Sequence, residues 1–191
     1  MEIIPTKIDG VKVIRPKVFE DSRGYFMETY QNEFFKNELG FVSIQDNESK
    51  SKYSTLRGLH YQLPPYTQAK LVRVIKGTVL DVVVDIRTDS PTFGEYQTIE
   101  LSAEDKLMFY IPRGLAHGFI VLSEEAIFQY KVDNQYSPRY ETGISYEDTK
   151  LNINWKMPRT QINVSAKDAL LEFFICKQFF TTKEYLQNPT L

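Results

Sequence analysis

The sequence predicts a mainly β protein built as a sandwich or jelly roll. Short runs rich in β-branched and aromatic residues follow one another through the middle of the chain. Turn residues punctuate these runs, and no helical stretch separates them. Phe and Tyr carry most of a 14% aromatic share, which suits sheet faces and stacking sites.

Taken in order, the first element expected is a short helix after Gln31. Asn32 is its expected cap, Phe34, Phe35 and Leu39 its apolar stripe, and Gly40 its end. Strand-like sequence then surrounds His60. Residues 71–75 are dense in β-branched side chains, and Lys76-Gly77 offers a turn. Residues 79–86 form an apolar run interrupted by Asp81 and Asp85, and residues 96–101 alternate as a half-buried strand does. Residues 107–111, 119–122 and 127–132 continue the series. Ser90-Pro91, Pro112-Arg113-Gly114 and Ser137-Pro138 mark turns between them. The apolar residues 169–180 read as helical, and Thr181 with Glu184 reads as the capping box of one more short helix. Polar residues interrupt this tail and it is too short to span a bilayer, so it reads as a packing or dimer-covering segment.

At 191 residues the chain suits a single domain over 1–191, without internal repeats. A net charge of −2 and the absence of a basic run argue against nucleic-acid binding. Cys176 is the one cysteine, which excludes an internal disulfide and a zinc–thiolate cluster and favours a reducing compartment. Residues 1–5 have neither a basic start nor a long apolar core. The expectation is a soluble cytoplasmic protein without a membrane partner.

Chemistry concentrates around Leu56-Arg57-Gly58-Leu59-His60-Tyr61-Gln62 and Lys70. An imidazole is the side chain best matched to moving protons near neutral pH. Arginine and lysine beside it suit an anionic substrate, or negative charge that develops during reaction. Tyr130 is either a sheet-face tyrosine or a phenol that exchanges a proton. Asp168 either caps the following helix or holds the His60 ring in one tautomer. Arg23, among aromatics, is either a solvated side chain or a phosphate ligand.

Pro112, Gly114 and His117 resemble the second half of the cupin pattern. Metal-binding cupins supply His-x-His in the first half, whereas this chain has His60-Tyr61-Gln62. One ligand is therefore missing, and the reading is a cupin without metal. Several further blocks run in one order: residues 16–28, 45–49, 57–65, Lys70, 84–87, 90–94, His117, Tyr130 and 165–168. Together they resemble the nucleotide-sugar 3,5-epimerase family of deoxysugar pathways, typified by dTDP-4-dehydrorhamnose 3,5-epimerase. The resemblance covers about residues 1–168, leaving 169–191 as an atypical tail.

That resemblance implies a cupin-type jelly roll acting as a homodimer, with no metal and no cofactor. It implies inversion of C3 and C5 of dTDP-4-dehydro-6-deoxy-D-glucose, giving dTDP-4-dehydro-L-rhamnose. His60 would be the base, oriented by Asp168, Tyr130 the acid, and Lys70 the cation for the enolate. Arg57 and His117 would line the pocket. Arg23, Phe26 and Glu28 would contact the nucleotide across the dimer interface, joined by Gln45 and Asn47. Tyr136, Glu141 and Lys167 fall on further substrate positions. The alternatives are a 3- or 5-epimerase acting at one carbon, a 3,4-ketoisomerase, a non-catalytic nucleotide-sugar binder and a metal-dependent oxygenase.

Overall fold

Two-residue periodicity becomes two facing antiparallel sheets in the computed structural model, which describes residues 1–188. The strands are β1 (Glu2–Pro5), β2 (Lys12–Arg15), β3 (Val18–Asp21), β4 (Gly24–Met27), β5 (Gln45–Lys52), β6 (Leu56–Gln62), β7 (Lys70–Lys76), β8 (Thr78–Asp85), β9 (Tyr96–Ser102), β10 (Met108–Ile111), β11 (Leu115–Val121), β12 (Glu125–Val132) and β13 (Glu141–Gly143). One sheet runs β1-β2-β10-β7-β12-β5 and the other β13-β6-β11-β8-β9. From β5 to β12 the chain passes repeatedly between the sheets, which is the jelly-roll pattern. The hairpin β3–β4 stands apart as its own two-stranded sheet.

Strand β8 shows why residues 79–86 are almost continuously apolar. Val79 and Val83 point between the sheets, where they join Val72, Phe109, Phe119 and Phe128. Leu80, Val82 and Val84 point the other way, into a second core under Trp155, Phe174 and Tyr185. A strand covered on both faces needs apolar side chains at every position. A third cluster on the far side of the six-stranded sheet packs Ile14 and Tyr110 against Phe35 and Phe41. At the β7–β8 turn, Gly77 takes φ +80, and a Cβ there would lie 2.1 Å from the Glu125 carbonyl oxygen.

The helix α1 (Asn32–Leu39) ends at Gly40, which adopts the left-handed conformation, as expected. Its cap differs from the reading above. Gln31 stands at the cap without a side-chain bond, and Asn32 is already helical. The Asn32 amide oxygen instead accepts the Tyr30 hydroxyl at 3.2 Å.

The tail is a larger correction. Residues 169–180 do not form a helix; only the short α2 (Ala166–Ala169) and one tight turn at Phe174–Cys176 occur. The apolar residues do not share one face: Phe174 is buried, while neighbouring Ile175 is 78% exposed. The backbone satisfies itself against the sheet instead, with the Phe180 carbonyl accepting from Thr88 N–H at 2.9 Å. Phe174 makes tilted ring contacts with Phe93 and Phe179. The final helix α3 (Thr182–Tyr185) begins with the expected Thr181–Glu184 capping box, and Tyr185 closes the second core. The described residues contain no helix long and apolar enough to cross a membrane.

Candidate active site

Between the two sheets lies a cleft of about 610 Å³. The six-stranded sheet contributes Asn47 from β5, Lys70 from β7, and Phe128 and Tyr130 from β12. The five-stranded sheet contributes Arg57 and His60 from β6, and His117 from β11. Helix α2 adds Lys167 and Asp168. Alternation explains most of this set. Inward positions read Lys70, Val72, Val74 along β7 and Tyr130, Phe128, Ala126 along β12, so the cleft is the polar end of the inter-sheet core.

Alternation does not explain Arg57 and His60, which are three residues apart and should face opposite ways. A β-bulge brings both to the cleft. His117 pairs with His60 but Phe119 pairs with Arg57, so two steps on β11 span three on β6. The backbones approach closely here: a Cβ on Gly58, at φ +118, would lie 2.6 Å from Gly118 Cα.

His60 Nε2 lies 2.7 Å from Asp168 Oδ1, and Asp168 Oδ2 accepts the Gly58 N–H at 3.3 Å. Helix α2 is capped by Ser165, whose hydroxyl accepts the Asp168 N–H at 3.1 Å. The Asp168 carboxylate is thus free of the capping role and available to the imidazole. Burial pushes this carboxyl up, but its bonds to His60, Gly58 and Ser165 outweigh that and hold it below its ordinary range.

A second His–Asp pair escaped the sequence reading. His117 Nε2 lies 3.0 Å from both oxygens of Asp81, which is fully buried. The available signal was position: Asp81 shares the inward register of Val79 and Val83. Burial lowers His117 below its ordinary pKa, against the pull of Asp81. Burial also lowers Lys70 to about 8, opposed by Asp81 and Glu141. Tyr130 is raised by burial and by Glu141, with Arg57 opposing.

At the rim, a recess of about 90 Å³ continues past His60, Lys70 and Tyr130 to Tyr136 and Glu141. Glu141 accepts the Tyr136 hydroxyl at 2.8 Å and pairs with the Lys167 ammonium. Arg57 is steadied through Nε by the Ser51 hydroxyl at 3.0 Å. Gln45 sits at the start of β5 and bonds Asn47 at 2.8 Å. Three expected residues do not reach this cleft within the chain. Arg23 and Phe26 lie on the β3–β4 hairpin, and Glu28 follows it. Arg23 pairs with Asp21 at 2.6 Å, and Phe26 is 65% exposed. Gln62 is occupied structurally: it donates to the Tyr66 and Gln135 carbonyls and accepts from Ser137 N–H. Among the described residues, no three His, Cys, Asp or Glu side chains are grouped to hold a metal ion.

A jelly roll whose cleft carries an imidazole–carboxylate pair on one wall, with a phenol and an ammonium on the other, is of the cupin class, and these are side chains of the kinds that can move protons. A family model described as dTDP-4-dehydrorhamnose 3,5-epimerase matches residues 5–175. The chain belongs to this family, whose activity is that of an isomerase. It is 47% identical over 182 residues to dTDP-4-dehydrorhamnose 3,5-epimerase of Shigella flexneri, covering 94% of this chain and 99% of that one. The crystal structure of the Elizabethkingia anophelis enzyme of the same name superposes with a TM-score of 0.89 at 46% identity, covering 94% of this chain and 99% of that one. A Legionella pneumophila dTDP-6-deoxy-D-glucose-3,5-epimerase, solved in complex with dTDP-4-keto-L-rhamnose, superposes with a TM-score of 0.88 at 43% identity. That match covers 100% of this chain and 99% of that one.

Proposed function

We propose that the cleft converts dTDP-4-dehydro-6-deoxy-D-glucose into dTDP-4-dehydro-L-rhamnose by inverting C3 and C5 in turn. The observation that carries this reading is the opposition of His60, backed by Asp168, to Tyr130 and Lys70 on the other sheet. The 4-keto group acidifies the hydrogens on its two flanking carbons. His60 removes one of them, and Asp168 stabilises the imidazolium that forms. The enolate oxygen is held by the Lys70 ammonium, which works in a desolvated cleft and therefore more strongly than in water. Tyr130 returns a proton from the opposite wall, so the carbon inverts. Its phenol stays protonated across the working range because burial raises it.

Arg57 and the rim residues Tyr136, Glu141 and Lys167 suit the nucleotide diphosphate side of the substrate, with Gln45 and Asn47 beside them. Arg23, Phe26 and Glu28 serve a second copy of the chain, forming a homodimer. The exposed Phe19, Tyr25 and Phe26 support this, because an isolated sandwich gains nothing from presenting them. The free thiol of Cys176 suits a reducing cytoplasm.

The direct test is His60→Ala, assayed for turnover of the dTDP-linked keto sugar with circular dichroism as the fold control. The expected loss is on the order of a hundred- to ten-thousand-fold. A folded variant with near-wild-type turnover would remove His60 from the base role.

A further inference from the structure

We propose that residues 181–188 are a strap that sets the rim recess of the cleft, with Thr67 and Arg113 as positioning residues that tie it to the two loops beside Lys70 and Tyr136. The proposal rests on the reading that this recess takes part of the nucleotide sugar. The strap is fixed at both ends. At its start, Asp89 Oδ1 accepts the Thr182 N–H and the Thr182 hydroxyl, both at 2.7 Å. At its end, the Arg113 guanidinium donates to the Gln187 carbonyl at 3.3 Å and to the Asn188 side-chain oxygen at 2.7 Å. Between these anchors the Tyr185 carbonyl closes α3, where a helix leaves its last carbonyls without internal partners. The hydroxyl of the buried Thr67 donates to it.

Two hydrogen-bond relays run from the strap to the recess. In the first, the Asn134 side-chain amide donates to the Thr67 carbonyl at 3.0 Å and to the Pro65 carbonyl at 3.1 Å. The Asn134 carbonyl in turn accepts from the Gln68 side chain at 2.8 Å. Gln68 lines the recess with Lys70, Tyr136 and Glu141. In the second, Arg113 Nε donates to Asp133 Oδ2 at 2.9 Å, and Asp133 Oδ1 accepts the Ala69 N–H at 2.7 Å. Both relays end on residues just before Lys70, and both pass through the segment that leads from Tyr130 to Tyr136. Gln62 ties the same two loops together through the Tyr66 and Gln135 carbonyls. Covering the second core takes only the apolar side chains of the tail, such as Phe174 and Tyr185. The polar contacts of the strap go instead to loops that carry recess residues, which packing alone does not require. A binding loop already held in place spares the ligand the cost of ordering it, so loss of the strap should appear in affinity.

The test compares steady-state kinetics of the wild type, Thr67→Val and Thr67→Ser on dTDP-4-dehydro-6-deoxyglucose, with a thermal melt of each. Thr67→Val keeps the side-chain shape and loses the donor. Its KM should rise roughly three- to tenfold while kcat stays within about twofold, because the cost of ordering the recess passes to substrate binding. Thr67→Ser keeps the hydroxyl and should bind as the wild type does. A folded Thr67→Val with the wild-type KM overturns the positioning role even if it melts lower, since a merely structural bond would behave that way. A Thr67→Ser as impaired as Thr67→Val overturns it too, because the hydroxyl would then not be the cause. Should Thr67→Val fail to fold, amide hydrogen exchange of the wild type decides. Coupling is reciprocal, so bound dTDP should slow exchange at residues 182–187, and unchanged exchange there with dTDP bound would overturn the strap. Wild-type protein that neither binds dTDP nor turns over the sugar would refute the proposed function instead. Faster exchange at residues 133–137 in Thr67→Val would then still support the strap, and unchanged exchange would overturn it.

Discussion

The substitution Gly118→Ala tests whether the bulge between β6 and β11 is what aims Arg57 and His60 into the cleft. A Cβ at position 118 would lie 2.7 Å from the Arg57 carbonyl oxygen and 3.2 Å from Gly58 Cα. Both are backbone atoms, so no side chain can swing aside. Ordinary contact begins near 3.4 Å, so the two strands must part by a good fraction of an ångström. A misplacement of about 1 Å costs on the order of a hundredfold in rate. The expected loss in kcat is therefore roughly ten- to a hundredfold. Overpacking of this kind costs about 1–3 kcal/mol, and each kcal/mol lowers Tm by about 2–4 °C in a chain of this size. The variant should melt a few degrees lower yet remain folded at room temperature, since typical domains hold about 5–15 kcal/mol. The assay pairs a thermal melt with the initial rate of keto-sugar turnover. A folded variant with the wild-type rate would show that the close approach of Gly58 and Gly118 does not set the site, and that reasoning would fail.

Asp168→Asn removes the charge facing His60 and should slow turnover about ten- to a hundredfold, the worth of a charge-assisted hydrogen bond of about 1.5–3 kcal/mol; a normal rate in a folded variant would reduce Asp168 to a structural role. Tyr130→Phe keeps the ring but loses the acid. Solvent exchange at the reacting carbon should persist through His60 while net inversion falls sharply, and unimpaired inversion would send the search for the proton donor elsewhere. Prolonged chelation should leave the rate unchanged, whereas loss restored by one divalent ion would contradict a metal-free mechanism. For Arg23→Ala, weaker nucleotide binding is expected if the hairpin serves a second copy, and an unchanged KM would count against that.

Much of this architecture was legible because burial imposes periodicity. The runs around 71–75, 79–86 and 127–132 announced β7, β8 and β12, and Gly40 announced the end of α1. Strand β5 was not legible, because its sequence Gln45–Lys52 is wholly polar. Its inward side chains face the cleft or bond Arg57, so no apolar alternation exists to be seen. The tail misled for the opposite reason: Phe174 is a core residue and Phe179 and Phe180 pack against that core from an irregular backbone, which looks like helix to a composition-based reading. Within the site, His60, Lys70, Tyr130 and His117 stood out by residue type. Asp81 did not, since a single acid inside an apolar run is read as an interruption until its register with Val79 and Val83 is known. The bulge was invisible as well. Two glycines on different strands declare their close approach only when the strands are paired.

The central claim is that two walls of one cleft move protons on opposite faces of the carbons flanking the keto group. Its most direct measurement is proton NMR of the wild-type reaction on dTDP-4-dehydro-6-deoxy-D-glucose in heavy water. Deuterium should enter at both C3 and C5, and the product should carry the inverted configuration at both. Deuterium confined to one carbon would contradict the double inversion, and none at either, with the enzyme folded and substrate bound, would contradict the enolate chemistry itself.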